Sequence, residues 1–226
     1  MKPEEISVDK FLRNRYGENV LFEPDGNVPP DFVVNSTCAV EVRRLNQQFF
    51  SEEKIEGLEQ LSFPLYHVLK EVLASFDSQY NGKSYWVFVD YKRPLDKNIR
   101  EIKSDLQNSL KTIIQTDLSL PYMLQVNKKI KLWLYSSDPV KGQVFRFGGE
   151  DDGDAGGWVV PVYIENIRHC ITEKSSKIKQ YKLRYKEWWL YLVDFMELGL
   201  DQEVVKEMKS AISDLGEFNK VAVVNY

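Results

Sequence analysis

No run of this chain approaches the ~20 consecutive apolar residues of a membrane-spanning helix. The first ten residues, MKPEEISVDK, are too polar and acidic to read as a secretory leader. Cysteine is scarce: Cys38 and Cys170 are the only two, with no metal-ligand spacing, and they read as buried free thiols of a reducing cytoplasm. Histidine is as scarce, and His67 and His169 share no spacing that a zinc site would need. No phosphate-binding loop, dinucleotide fingerprint or G-x-S-x-G elbow occurs. Excess positive charge is also missing. The net charge of −4 argues against a protein that coats nucleic acid along its whole surface.

What is present is an ordinary globular composition, 43% hydrophobic and 28% charged over 226 residues. The charge is uneven. Residues 1–60 are acidic on balance, whereas Arg168 to Lys186 holds seven basic residues and one acid, Glu173. Pro3 to Tyr16 reads as a helix, and short β runs follow at Asn19–Glu23, Asp31–Asn35 and Ser36–Leu45. Apolar residues from Ile55 to Phe76 recur at three- and four-residue steps, which predicts a long helix interrupted or kinked at Pro64. Further strands are expected at Ser84–Tyr91, Lys131–Ser137, Gln143–Phe147, Gly157–Ile164, Trp188–Phe195 and the C-terminal NKVAVVNY. Helices are expected near 99–113, 166–187 and 202–215. Without a linker or a repeat, the pattern predicts one α/β domain over 1–226, a mixed central sheet flanked by helices.

Within this pattern, PPDFVVNSTCAVEVRRL (Pro29 to Leu45) places charge where a core is expected. Side chains alternate along a strand, so Glu41 and Arg43 share one face, and Asp31 shares a face with Val33. If Asn35, Ser36 and Thr37 form a three-residue turn, Val34 pairs with Cys38 and Val33 with Ala39, which brings Asp31 opposite Glu41. Directly opposed Cβ atoms lie about 4.5–5.5 Å apart. Two carboxylates that close repel unless a proton or a cation intervenes. A hard divalent ion such as Mg²⁺ or Mn²⁺ suits them and is suited to phosphodiester chemistry. Taken singly, an E-x-R in a strand reads as a solvated face.

The proline–aspartate followed by E-V-R on the next strand resembles the PD-(D/E)XK nuclease superfamily. Pro30 and Asp31 match the first element, Glu41 the acid, and Arg43 stands where the lysine is expected. The resemblance implies a restriction-endonuclease-like core (αβββαβ) over residues 3–91, with 92–226 as elaborations extending the sheet and helices. It implies Asp31, Glu41 and the Val42 carbonyl as metal ligands, Glu5 (or Glu4) as an assisting acid on the first helix, and Gln48 or Gln47 on the helix after the motif. The implied activity is Mg²⁺- or Mn²⁺-dependent cleavage of DNA, with a homodimer as a further option. Arginine cannot give up its proton as lysine can. The alternative is therefore an inactive module of this fold that binds nucleic acid or a protein partner.

Arg43 is expected to point at Glu41 or at a phosphate. Lys177, Lys179, Lys182 and Arg184 are expected to hold a phosphate backbone. The aromatics among them, Tyr181, Tyr185 and Trp188, have the spacing of core residues. FGGEDDGDAGG (Phe147 to Gly157) lacks the order of a calcium loop and reads as a strand connector.

Overall fold

A computed structural model describes the whole chain, Met1–Tyr226. In chain order it begins α1 (Pro3–Tyr16), β1 (Val20–Phe22), β2 (Phe32–Val34), β3 (Cys38–Leu45), β4 (Gln48–Phe50) and β5 (Ile55–Gly57). Next come α2 (Glu59–Ala74), β6 (Ser84–Tyr91), α3 (Ile99–Ile114), β7 (Tyr122–Gln125), β8 (Ile130–Ser137) and β9 (Phe145–Asp152). The last elements are α4 (Val159–Ile178), β10 (Glu187–Asp194), α5 (Gln202–Ala211) and β11 (Lys220–Asn225). The class is α/β, with mixed sheets flanked by helices. The chain divides into two compact units. A discontinuous unit combines Met1–Gln48 with Gly156–Tyr226, and an inserted unit spans Phe49–Ala155.

The discontinuous unit is built on a five-stranded sheet in the order β1-β2-β3-β10-β11. β2 pairs antiparallel with both β1 and β3, and β10 and β11 continue parallel to β3. Along β3, Val40 and Val42 face one way and join Val8 and Leu12 of α1. Ala39 and Leu45 face the other way and join Tyr163, Ile167, Cys170 and Ile171 of α4. β10 is central and covered on both faces, as its near-continuous apolar run predicts.

The inserted unit has a four-stranded sheet in the order β7-β8-β6-β9. α2 and α3 cover one face with Leu65, Leu69, Leu106 and Leu110 against Val87, Val89, Leu132 and Leu134. Asn98 caps α3 by accepting from the N–H groups of Arg100 and Glu101, and the Glu101 carboxylate reciprocates on the Asn98 N–H.

Three expectations are corrected. Ser84–Tyr91 is a strand, but it belongs to the sheet of the inserted unit, so the expected core over 3–91 is not contiguous in the fold. The fourth strand beside β1–β3 is Glu187–Asp194. Gly157–Ile164, read as a strand from its valines, starts helix α4, with Pro161 in the first turn where a missing N–H is tolerated. The long helix after the motif begins only at Glu59 and runs through Pro64, because Ile55–Gly57 forms a short strand.

Candidate active site

The β2–β3 hairpin has the expected register: Val34 pairs with Cys38, Val33 with Ala39 and Phe32 with Val40. Asn35 and Ser36 take left-handed backbone angles (φ 49° and 60°), which close the three-residue turn. One step past the ladder, the Asp31 carboxylate replaces main chain as the partner of β3: its Oδ2 accepts the Val42 N–H at 2.7 Å. A strand residue's N–H and C=O point to the same edge. The Val42 carbonyl is therefore directed past the end of β2, beside Asp31.

Glu41 is the buried member of the pair, its side chain only 3% exposed. Its Oε2 accepts from the Lys174 ammonium at 2.6 Å, and the same ammonium lies 3.8 Å from Asp31 Oδ2. Glu41 Oε1 is buried and has no hydrogen-bond partner. Burial pushes the Glu41 carboxyl above its ordinary value, the Lys174 charge opposes that rise, and the Asp31 charge adds to it. Two carboxylates thus converge on one lysine, and one buried carboxylate oxygen is left without a partner.

Lys174 is the residue that sequence reasoning missed. It sits on α4, on the same stripe as the buried residues Ile167, Cys170, Ile171 and Ile178. A lysine at that position of an amphipathic helix faces the sheet and needs an acid there. The spacing alone carried that signal.

Arg43 shares the face of Glu41 but does not reach it. Its Nε donates to Glu173 Oε2 at 3.1 Å, and Nη1 to the Arg44 carbonyl at 3.3 Å. Glu173 also accepts from Lys177 at 2.6 Å. Burial would raise the Glu173 carboxyl, but Lys177 and Arg43 hold it below its ordinary value. The cation expected from Arg43 is supplied by Lys174, whose neighbour Glu173 draws the arginine away.

Glu5 is engaged by Lys2, whose ammonium also feels the charge of Asp31. Its Oε2 accepts the Lys2 N–H at 2.6 Å and its Oε1 lies 3.0 Å from the Lys2 ammonium, which closes the N-terminus of α1. Glu4 lies 3.6 Å from Arg44. Gln47 and Gln48 do not lie on a helix. Gln48 opens β4 and is tied through its N–H to Asn166 Oδ1 at 2.8 Å. Gln47 exchanges two hydrogen bonds with the main chain of Gly156, at 2.9 and 3.0 Å.

The basic stretch leaves α4 at Ile178 and continues as a 3₁₀ segment, Lys179–Arg184. Of the four cations named there, Lys177 pairs with Glu173, Lys182 with Glu217 and Arg184 with Asp25. Lys179 is exposed. Trp188 is fully buried with Tyr185 edge-on to it, as their spacing indicated. In the glycine- and aspartate-rich stretch, Asp152 and Asp154 engage the buried Arg93 guanidinium.

Asp31, Glu41 and the Val42 carbonyl are all oxygen donors, the set that a hard divalent ion takes. The partnerless Glu41 Oε1 fits such an ion. No third acid, histidine or cysteine joins them in a cluster. Waters and a substrate oxygen would have to complete the shell. None of the family models, curated proteins or solved structures compared with the chain matches it.

Proposed function

We propose that the discontinuous unit is a metal-dependent phosphodiesterase acting on DNA, with Asp31, Glu41 and Lys174 as its working residues. The observation that carries this reading is the Lys174 ammonium held between two carboxylates at a hairpin end, beside a buried carboxylate oxygen that lacks a partner. Element order supports it. With Phe49–Ala155 counted as an insertion, the discontinuous unit runs helix, three strands, helix, strand (α1, β1, β2, β3, α4, β10), the order of the restriction-endonuclease-like core. The lysine then comes from α4, and Arg43 is no obstacle to activity.

A bound Mg²⁺ or Mn²⁺ would supply Lewis acidity toward a phosphodiester oxygen and a more acidic water. Asp31, Glu41 and the Val42 carbonyl would hold it. Asp31 is already oriented by the Val42 N–H, so little reorganisation is needed. Lys174 carries three N–H donors. One is donated to Glu41, and the others would be free to meet a phosphate, where an ammonium stabilises developing negative charge.

The test is plasmid cleavage with Mg²⁺ or Mn²⁺. Wild type should nick or cut, and Asp31→Ala, Glu41→Ala and Lys174→Ala should each lose at least about 100-fold, as removal of one electrostatic catalytic group does. Cleavage by Lys174→Ala at the wild-type rate would overturn the assignment. DNA binding without cleavage under either ion would support the alternative, an inactive module of the same fold.

A further inference from the structure

The four-stranded sheet of the inserted unit has helices on one face only. The other face carries Trp86 and Phe88 of β6 beside Tyr135 and Trp133 of β8, since Trp86 pairs with Tyr135 and Phe88 with Trp133. Phe88, Trp133 and Tyr135 are 39, 37 and 42% exposed. Met123 of β7, opposite Trp133, extends the patch. Its core is a two-by-two block of rings rather than the aliphatic surface that a covered sheet presents.

Local chemistry keeps the rings available. Phe88 lies over Gly148, where a Cβ would come within 2.5 Å of the ring, so only glycine lets the ring lie down on β9. Phe88 and Tyr135 meet edge to face at 5.5 Å. At the β9 side, the Arg146 guanidinium stacks 4.0 Å from the Trp86 ring centre and donates to Ser137 Oγ at 3.1 Å. A cleft of about 400 Å³ opens there, lined by Lys70, Asp77, Trp86 and Arg146. Lys70 and Arg146 donate to the hydroxyls of Tyr66 and Ser137 rather than to a carboxylate, although Asp77 lines the same cleft. By contrast Lys177, Lys182 and Arg184 are each paired with an acid. The opposite end of the face carries Asp90, paired at 3.8 Å with Lys131.

We infer that this open face binds unpaired bases of a single-stranded nucleic acid, with the bases on Phe88, Trp133 and Tyr135 and the phosphates toward Arg146 and Lys70. The inference rests on the proposed nucleic-acid substrate and deepens it: the inserted unit would hold a single-stranded segment, and the cutting residues belong to the discontinuous unit. Every base has a π-face, so such a platform tolerates any sequence. Sheets that expose aromatics bind unstacked bases in this manner. Asp90 and Asp151, neighbours across β6 and β9, outnumber Lys131 at the opposite end, so a phosphate is disfavoured there and the strand takes a direction.

The test is anisotropy of a labelled thymidine oligonucleotide with the full chain in EDTA, where no cleavage occurs. Trp133→Leu keeps apolar area and removes the π-face. It should weaken binding by about 5- to 150-fold, the range of one base–aromatic stack, while Trp133→Phe should stay close to wild type. Arg146→Ala should weaken binding and lower the salt slope by about 0.7 for each phosphate that the guanidinium neutralises. Wild-type affinity in Trp133→Leu would overturn the inference. So would sedimentation showing a dimer that Trp133→Leu dissociates, since the face would then be covered by a second copy. Trp133→Leu must keep the circular dichroism and unfolding midpoint of wild type, so that a loss of binding reports the missing ring and not the fold. If the platform variants behave as stated but no ion supports cleavage, the proposed activity fails and the platform stands.

Discussion

At Glu41, burial drives the carboxyl upward and Lys174 drives it down, and the balance is a raised value. A folded carboxyl that binds its proton more tightly than the unfolded chain contributes less stability as pH rises above the ordinary value of 4.5. Lys174→Met removes the opposing charge and should raise the folded carboxyl further. Near pH 5 the variant can protonate Glu41 and lose little. Near pH 8 it must bury an unpaired carboxylate, and about 3–5 kcal/mol should be lost. Urea unfolding at the two pH values measures the gap, and a gap that does not widen with pH would show that Glu41 and Lys174 are not coupled. Glu5 behaves in the opposite sense. Burial would raise it, but the Lys2 N–H and ammonium hold it below 4.5. Its capping contribution should be present above that pH and disappear as pH falls through the lowered folded value. Glu5→Gln should therefore cost about 1 kcal/mol at neutral pH and almost nothing in acid, with cleavage unchanged. The two thiols are chemically quiet. Burial pushes Cys38 up to about 12 and Cys170 to about 11. Neither should react with a thiol reagent at neutral pH until urea exposes it, and modification of the native chain at either position would contradict the packing around it.

At the scale of elements, α4 decides what the site can do. It places Glu173 and Lys174 side by side over β3, so Glu41 receives the lysine and Arg43 receives the glutamate. Arg43 and Glu173 remain partly solvated, at 26 and 28% exposure, so the pair is worth about 1 kcal/mol or less. Arg43→Ala should then lower stability only slightly and reduce cleavage by less than about tenfold, whereas Lys174→Ala should lower it at least about 100-fold. Equal losses from the two variants would return Arg43 to the carboxylate site. The hairpin was legible in the sequence because an odd turn and the two-residue period of a strand fix which faces meet. Lys174 was harder to read. It stands 133 residues from Glu41, and its only local sign is a lysine on an apolar helical stripe. The start of α4 misled because a short run of valines serves a buried helix as well as a strand.

At the scale of the whole chain, the boundary between the units left almost no compositional mark, since both contain alternating helices and strands of ordinary composition. Its sign is structural. The two amide hydrogen bonds between Gln47 and Gly156 bring together the residues that flank the insertion. Gly156 and Gly157 have φ of 78° and 118°, left-handed angles that let the chain turn back into α4 at that point. The insertion therefore leaves and re-enters at one place, and a short glycine–serine link should span the gap left by removing Phe49–Ala155. Each unit has its own buried core. The shortened chain should keep the cooperative unfolding and circular dichroism of an α/β fold. It should retain the Glu41-dependent binding of Mn²⁺ and lose the affinity for unpaired thymidines that Trp133 and Arg146 provide. Titration calorimetry with Mn²⁺ on the shortened chain and on its Glu41→Ala variant separates the outcomes. Heat that depends on Glu41 would place the metal chemistry wholly within the discontinuous unit. A folded chain with no such heat would mean that the insertion contributes to the ion site, and the assignment to Asp31, Glu41 and Val42 would be incomplete.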